Sequence, residues 1–131
     1  MPSLIDTNVL SEFVRPRPNR GVISWAANVE RISISVVSVE EIAFGLTWKP
    51  NKKLEEWFRK FFAEACDTLP ITESIAQRAG AMRGDFLGKG ITRSPADMLI
   101  AATAQAHGLT LVTRNVRDFD GCGIDLLNPF V

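Results

Sequence analysis

Short apolar runs alternate along this chain with longer stretches of helical periodicity, the pattern of strand-helix units that build a mostly parallel sheet. Ser3-Leu4-Ile5-Asp6 reads as a first strand, followed by a short helix from Thr7 to about Phe13 and a loop at Pro16 and Pro18. A second helix is expected from about Asn19 to Asn28, and Arg31 to Ser35 alternates with the period of two of a strand. Ser38 to about Trp48 is predicted to be helical, ending near Pro50. Asn51 to Ala65 carries Leu54, Trp57, Phe58, Phe61 and Phe62 at three-to-four spacing, which makes an amphipathic helix whose stripe serves as core or dimer surface. Thr68 to Ile71 is a short extended piece, and Thr72 caps a helix reaching about Leu87, where Gly88-Lys89-Gly90 ends it. Ser94-Pro95 opens a strong alanine-rich helix that runs to Gly108. Leu109 to Thr113 and Ile124 to Leu127 complete the strands, giving an α/β fold with a central sheet of four to five strands flanked by helices.

Composition narrows what such a fold does. A length of 131 residues with 46% hydrophobic content supports one ordinary domain with its own core. Fifteen basic residues balance fifteen acidic ones, so any contact with nucleic acid has to be local rather than driven by a global positive field. The opening Met1-Pro2-Ser3 carries no basic, apolar leader pattern and no apolar run approaches membrane-spanning length, which predicts a cytoplasmic protein without membrane attachment. Cys66 and Cys122 match no metal or disulfide spacing, and the single histidine, His107, sits at a helix end. Histidine-based catalysis is thereby nearly excluded.

Three acids occupy the places that chemistry would use. Asp6 ends the first strand, where open α/β sheets hold their ligands, although an acid there also serves as a turn or helix cap. Asp97 completes a capping box with Ser94, yet it shares a helical face with Ile100, Ala101 and Ala104 and so turns toward the packed side. Glu41 repeats the arrangement behind Ser38, on a face with Phe44, Gly45 and Trp48; Glu40 competes with it, and periodicity does not choose between them. Acids converging at one sheet edge repel each other without counter-ions, and Mg²⁺ or Mn²⁺ are the hard cations that suit carboxylate and water oxygens. Such ions support attack of water on a phosphodiester with no histidine or cysteine nucleophile. Thr113, Asn115 and Asp118, where the Leu109 to Thr113 strand ends, face the same mouth in this reading. Asn115 serves equally well as a turn residue.

Taken in order, Leu4-Ile5-Asp6-Thr7-Asn8-Val9-Leu10-Ser11-Glu12, Glu41-Ile42-Ala43-Phe44-Gly45, Pro95-Ala96-Asp97-Met98-Leu99-Ile100-Ala101-Ala102, Val112-Thr113-Arg114-Asn115 and Asn128-Pro129-Phe130 resemble the PIN-domain ribonucleases. Within them the chain is most similar to the VapC toxins of toxin-antitoxin pairs, especially the FitB-like branch. The resemblance covers essentially the whole chain, which implies a single PIN domain over 1–131 with the family's three-layer fold. It selects Glu41 over Glu40 and implies Mg²⁺- or Mn²⁺-dependent cleavage of RNA, a homodimer, and silencing by a small VapB-like antitoxin whose tail occupies the active-site groove. Asp6, Glu41 and Asp97 are then the metal ligands, and these three with Asn115 form the catalytic group.

One departure stands out. Many relatives carry a fourth acid where this chain has Asn115, which leaves the occupancy of a second metal open; Asp118 lies three residues on. Thr7, Asn8, Arg93, Thr113, Arg114 and Asp118 are the candidate substrate contacts, with Arg93 and Arg114 the ones that would meet RNA phosphates. The other basic residues, including Arg15, Arg17 and Arg20 in one loop, read as solvated surface. Two alternatives remain at this stage. A metal-dependent phosphatase would use Asp6 as nucleophile, but the haloacid-dehalogenase-like pattern needs a second Asp where Asn8 stands. A non-catalytic PIN-like binding module would keep the fold and lose the metal.

Overall fold

The computed structural model describes residues 2–131. Five strands, β1 (Ser3–Ile5), β2 (Ile32–Ser35), β3 (Asp67–Leu69), β4 (Thr110–Val112) and β5 (Leu126–Leu127), form one sheet in the order β3-β2-β1-β4-β5 with every neighbouring pair parallel. Six helices connect them: α1 (Thr7–Glu12), α2 (Arg20–Ala27), α3 (Val36–Trp48), α4 (Lys52–Glu64), α5 (Glu73–Gly88) and α6 (Pro95–His107).

Side chains on successive strand residues point to opposite faces, and both faces here are covered, so the strands read as nearly continuous apolar runs. Leu4 and Leu111 enter a core completed by Ile75 and Met82 of α5 and Met98 and Ala101 of α6. Ile5, Ile34 and Val112 enter a second core with Val9 of α1, Val22 of α2, Ile42 of α3 and Phe58 of α4. The result is three layers, and a fully buried Leu or Ile in either core contributes about 1.5–3 kcal/mol. Most of the aromatic stripe of α4 belongs to the second core: Phe58 is buried there and Phe61 and Phe62 pack against it, while Trp57 is exposed and stacks on Phe61.

Strand ends and helix starts coincide, which fixes the chemistry-bearing edge. Asp6 accepts from the Thr7 N–H at 2.8 Å and caps α1, Ser94 accepts from the Asp97 N–H at 3.0 Å and caps α6, and Gly108 closes α6 at a φ of 63°. The start of α3 differs from the sequence expectation. Ser35, the last residue of β2, accepts from the Val37 N–H at 3.0 Å, so the helix begins at Val36 rather than beyond Ser38. Ser38 is therefore a buried interior residue, and no capping box ties it to Glu41.

Candidate metal and nucleic-acid site

The strand order reverses between β1 and β4: β2 and β3 lie to one side of this pair and β5 to the other. In open α/β sheets a crevice opens beyond the carboxyl ends of the strands at such a reversal. Ile5 and Val112 are register partners across it, so the next residues, Asp6 and Thr113, face each other at the crevice floor. Thr113 is completely buried, and its hydroxyl donates to Asp6 Oδ2 at 2.7 Å. Asn8 Nδ2 donates to the same carboxylate oxygen at 3.2 Å, while Asn8 Oδ1 accepts from the Arg114 N–H at 3.2 Å. The Asn115 N–H donates to Thr113 Oγ1 at 3.0 Å. The first and fourth strands are thus stitched together through one carboxylate.

Glu41 reaches the same mouth from α3. Its Oε1 accepts from Thr7 Oγ1 at 2.7 Å, and Thr7 Oγ1 lies 2.8 Å from Ser38 Oγ. A hydroxyl has one proton; with that of Thr7 given to Glu41, Ser38 is the donor to Thr7. Sequence reasoning missed Ser38 because the misplaced helix start made it a cap, although its position three residues before Glu41 puts both on one helical face. The face itself also differs from expectation. Phe44 and Trp48 are 65% and 72% exposed, so Glu41 turns not into the core but toward the open crevice.

The carboxylates act on one another. Burial pushes Asp6 above its ordinary pKa, against the pull of the Thr113 and Thr7 hydrogen bonds, and the Glu41 charge adds to the upward push. Half-buried Asp97 is likewise raised, by burial first, then by the charges of Asp6, Asp118 and Glu41, with the Ser94 hydroxyl opposing. No lysine or arginine forms a salt bridge with any of these four acids among the described residues. Like charges gathered without a counter-charge are the donor set of a hard divalent cation. Among the described residues no three acidic, histidine or cysteine side chains are drawn closely enough to hold an ion by themselves.

Two arginines singled out in the sequence have different surroundings. Arg93 is engaged with its own protein: Nη1 and Nη2 donate to the carbonyls of Arg117 and Asp120 at 3.1 and 2.9 Å, and its guanidinium lies 4.4 Å from the Phe86 ring. It clamps the 3-10 turn Val116–Phe119, which carries Asp118, and is not free to meet a phosphate. Arg114 is exposed over the Phe130 ring at 4.9 Å. Asn115 and Asp118 are both exposed, and Asn115 caps the turn with no side-chain hydrogen bond. Beside Glu41 an apolar groove of about 330 Å³ opens between α1, α3 and α4, lined by Val14, Ile42, Leu46, Leu54 and Phe58.

The PIN-domain family matches residues 3–121. The chain belongs to the PIN-domain family. This PIN domain is 32% identical to the VapC ribonuclease Y4jK of Sinorhizobium fredii, over 97% of this chain and 96% of that protein. It is 33% identical to toxin FitB of Neisseria gonorrhoeae, over 97% of each. The crystal structure of FitAcB from the same organism superimposes with a TM-score of 0.84 at 30% identity, covering 97% of each chain. A toxin-antitoxin complex from Klebsiella pneumoniae matches with a TM-score of 0.76 at 28% identity and 98% coverage of each. The five-stranded parallel sheet with helices on both faces is the PIN-like α/β fold expected from the sequence.

Proposed function

We propose that this PIN domain is an Mg²⁺- or Mn²⁺-dependent endoribonuclease and the toxin of a type II toxin-antitoxin pair. The observation that carries the reading is the uncompensated carboxylate group at the β1/β4 reversal, with Asp6 pinned by Thr113 and Asn8 and Glu41 held by Thr7. The naming of similar proteins as VapC ribonuclease and FitB toxin supports the substrate and the biological role.

Asp6, Glu41 and Asp97 are the residues that would hold the ion. When bound, it supplies positive charge that stabilises the charge developing at phosphorus and makes hydroxide available at neutral pH. The remaining work belongs to side chains. Thr113 and Asn8 fix the Asp6 carboxylate, and Thr7 occupies Glu41 Oε1, leaving Oε2 available to the ion. Exposed Asp118, whose charge acts on Asp97, and exposed Asn115, whose N–H donates to Thr113 Oγ1, are the acid and the amide that would orient substrate or water. The phosphatase alternative is disfavoured because the position where its pattern needs a second Asp is Asn8, whose amide donates to Asp6 Oδ2 at 3.2 Å.

The apolar groove beside Glu41 suits the tail of a VapB-like antitoxin, since amphipathic helices seat on grooves of this kind. A homodimer in the cytoplasm completes the reading. No helix among the described residues is long and apolar enough to cross a membrane. The test is purified protein with RNA in Mg²⁺, Mn²⁺ or EDTA, wild type beside Asp97→Asn. Cleavage by wild type in metal only, with a folded and inactive variant, is the expected result; cleavage that persists in EDTA, or equal cleavage by both, refutes the mechanism.

A further inference from the structure

The loop after α1 and the last residues of the chain form a structure that the cleavage chemistry leaves unused. A cleft of about 260 Å³ is lined by Glu12, Arg15, Arg17, Asn19, Arg114 and Phe130. Resting on the nuclease reading, we infer that this cleft is a subsite for the sugar-phosphate backbone of single-stranded RNA, beside the carboxylates.

Charge supports this first. Three arginines line the cleft against one acid, and that acid, Glu12, is 7% exposed, accepts from the Asn19 N–H at 2.8 Å and lies 3.8 Å from Arg15. Arg17 and Arg114 have no acid at salt-bridge distance among the described residues. A chain of zero net charge therefore concentrates cationic groups here, as local recognition of a polyanion requires.

The cleft is also built rather than incidental. Asn19 Oδ1 accepts from the N–H groups of Gly21 and Val131 at 2.9 and 3.2 Å, and its Nδ2 donates to the Val131 carbonyl at 3.0 Å. Gly21 admits this docking because a Cβ there would lie 2.1 Å from the Pro129 carbonyl oxygen. The Phe130 N–H donates to Asn128 Oδ1 at 3.0 Å, and the Phe130 ring underlies the Arg114 guanidinium. A stacked guanidinium keeps its in-plane donors directed outward, the arrangement that meets phosphate oxygens. Of the Asn128-Pro129-Phe130 segment, Phe130 lines the cleft and Asn128 holds its backbone in place.

Position joins the cleft to the reaction. Arg114 directly follows Thr113, the donor to Asp6, and its own N–H is held by Asn8. A strand bound over Arg114 is one residue from the carboxylate network.

The test measures binding of a short fluorescein-labelled single-stranded RNA by anisotropy in Mg²⁺ across a series of KCl concentrations. Asp97→Asn serves as a non-cleaving parent, into which Arg17→Gln, Arg15→Gln with Arg17→Gln, and Arg20→Gln are introduced. Arg20 starts α2 from the same basic run but does not line the cleft. The double variant is expected to bind about tenfold more weakly, with a logarithmic salt slope shallower by about 0.7 per arginine. The single Arg17→Gln, at an exposed site with no salt-bridge partner among the described residues, shows half the slope change of the double variant, and Arg20→Gln binds like the parent. Equal binding by all variants while wild type still cleaves RNA overturns the subsite and leaves the nuclease reading standing. Loss of binding to an acidic antitoxin peptide, with RNA binding intact, also overturns it. Wild type that neither binds nor cleaves RNA in metal refutes the nuclease reading itself.

Discussion

Asp6 and Asp97 share one situation in the folded protein: each lies at a helix start, and each is held above its ordinary pKa of 3.8 chiefly by burial. A carboxyl group whose pKa rises on folding binds its proton more tightly in the native state. Its contribution to stability is therefore complete below the unfolded pKa and is lost as pH rises through the raised native value. Asn in place of Asp97 has no such titration. The difference in unfolding free energy between wild type and Asp97→Asn, measured by urea titration without metal, should move against wild type as pH climbs from about 4 toward 7. Saturating Mn²⁺ should remove that trend. A difference independent of pH, or one that grows in favour of wild type, would show that Asp97 is only a helix-opening acid. Both carboxylates were recognisable in the sequence from their places at a strand end and in a first helical turn. Their mutual influence was not, because it depends on side chains brought together from residues far apart in the chain.

At the scale of elements, the alternation of apolar runs and helical periods gave every strand and helix to within a few residues, and α6 from its Ser-Pro start to its glycine stop. The informative failure is α3. Ser38-Val39-Glu40-Glu41 satisfies a capping-box pattern, but Ser35 ends β2 in extended backbone and takes the cap first, so the strand passes into the helix with no loop between them. That shift of one turn turns Ser38 inward, where it supports Thr7 and through it Glu41. Two substitutions separate the roles. Ser35→Ala should cost about 1 kcal/mol of stability. Ser38→Ala should leave the unfolding midpoint nearly unchanged and lower RNA cleavage about tenfold, as loss of an outer hydrogen bond to a ligand does, with Ser38→Thr restoring it. A reversed pattern, in which Ser38→Ala destabilises like a lost cap and cleaves normally, would restore the capping-box arrangement. Arg93 teaches the same lesson from the other side: exposed basic residues near a mouth look alike in sequence, and only packing shows that this one is spent on the carbonyls of Arg117 and Asp120.

For the whole molecule, the decisive fact is the strand order. Runs of two to four residues announce strands but not their neighbours, and the β1/β4 reversal emerges only when the chain is folded. That reversal sets Asp6 against Thr113, brings α3 and α6 to the same edge, and places the Arg114 and Phe130 pair beside them. The central claim is that Asp6, Glu41 and Asp97 share one divalent cation in this crevice. Calorimetric titration of Mn²⁺ into the metal-free wild-type protein and into Asp97→Asn, with circular dichroism to confirm that both are folded, tests it most directly. The account requires a saturable site in wild type whose affinity falls at least about tenfold in the variant. Equal Mn²⁺ affinity in the two folded proteins, or no saturable binding by wild type, would contradict it.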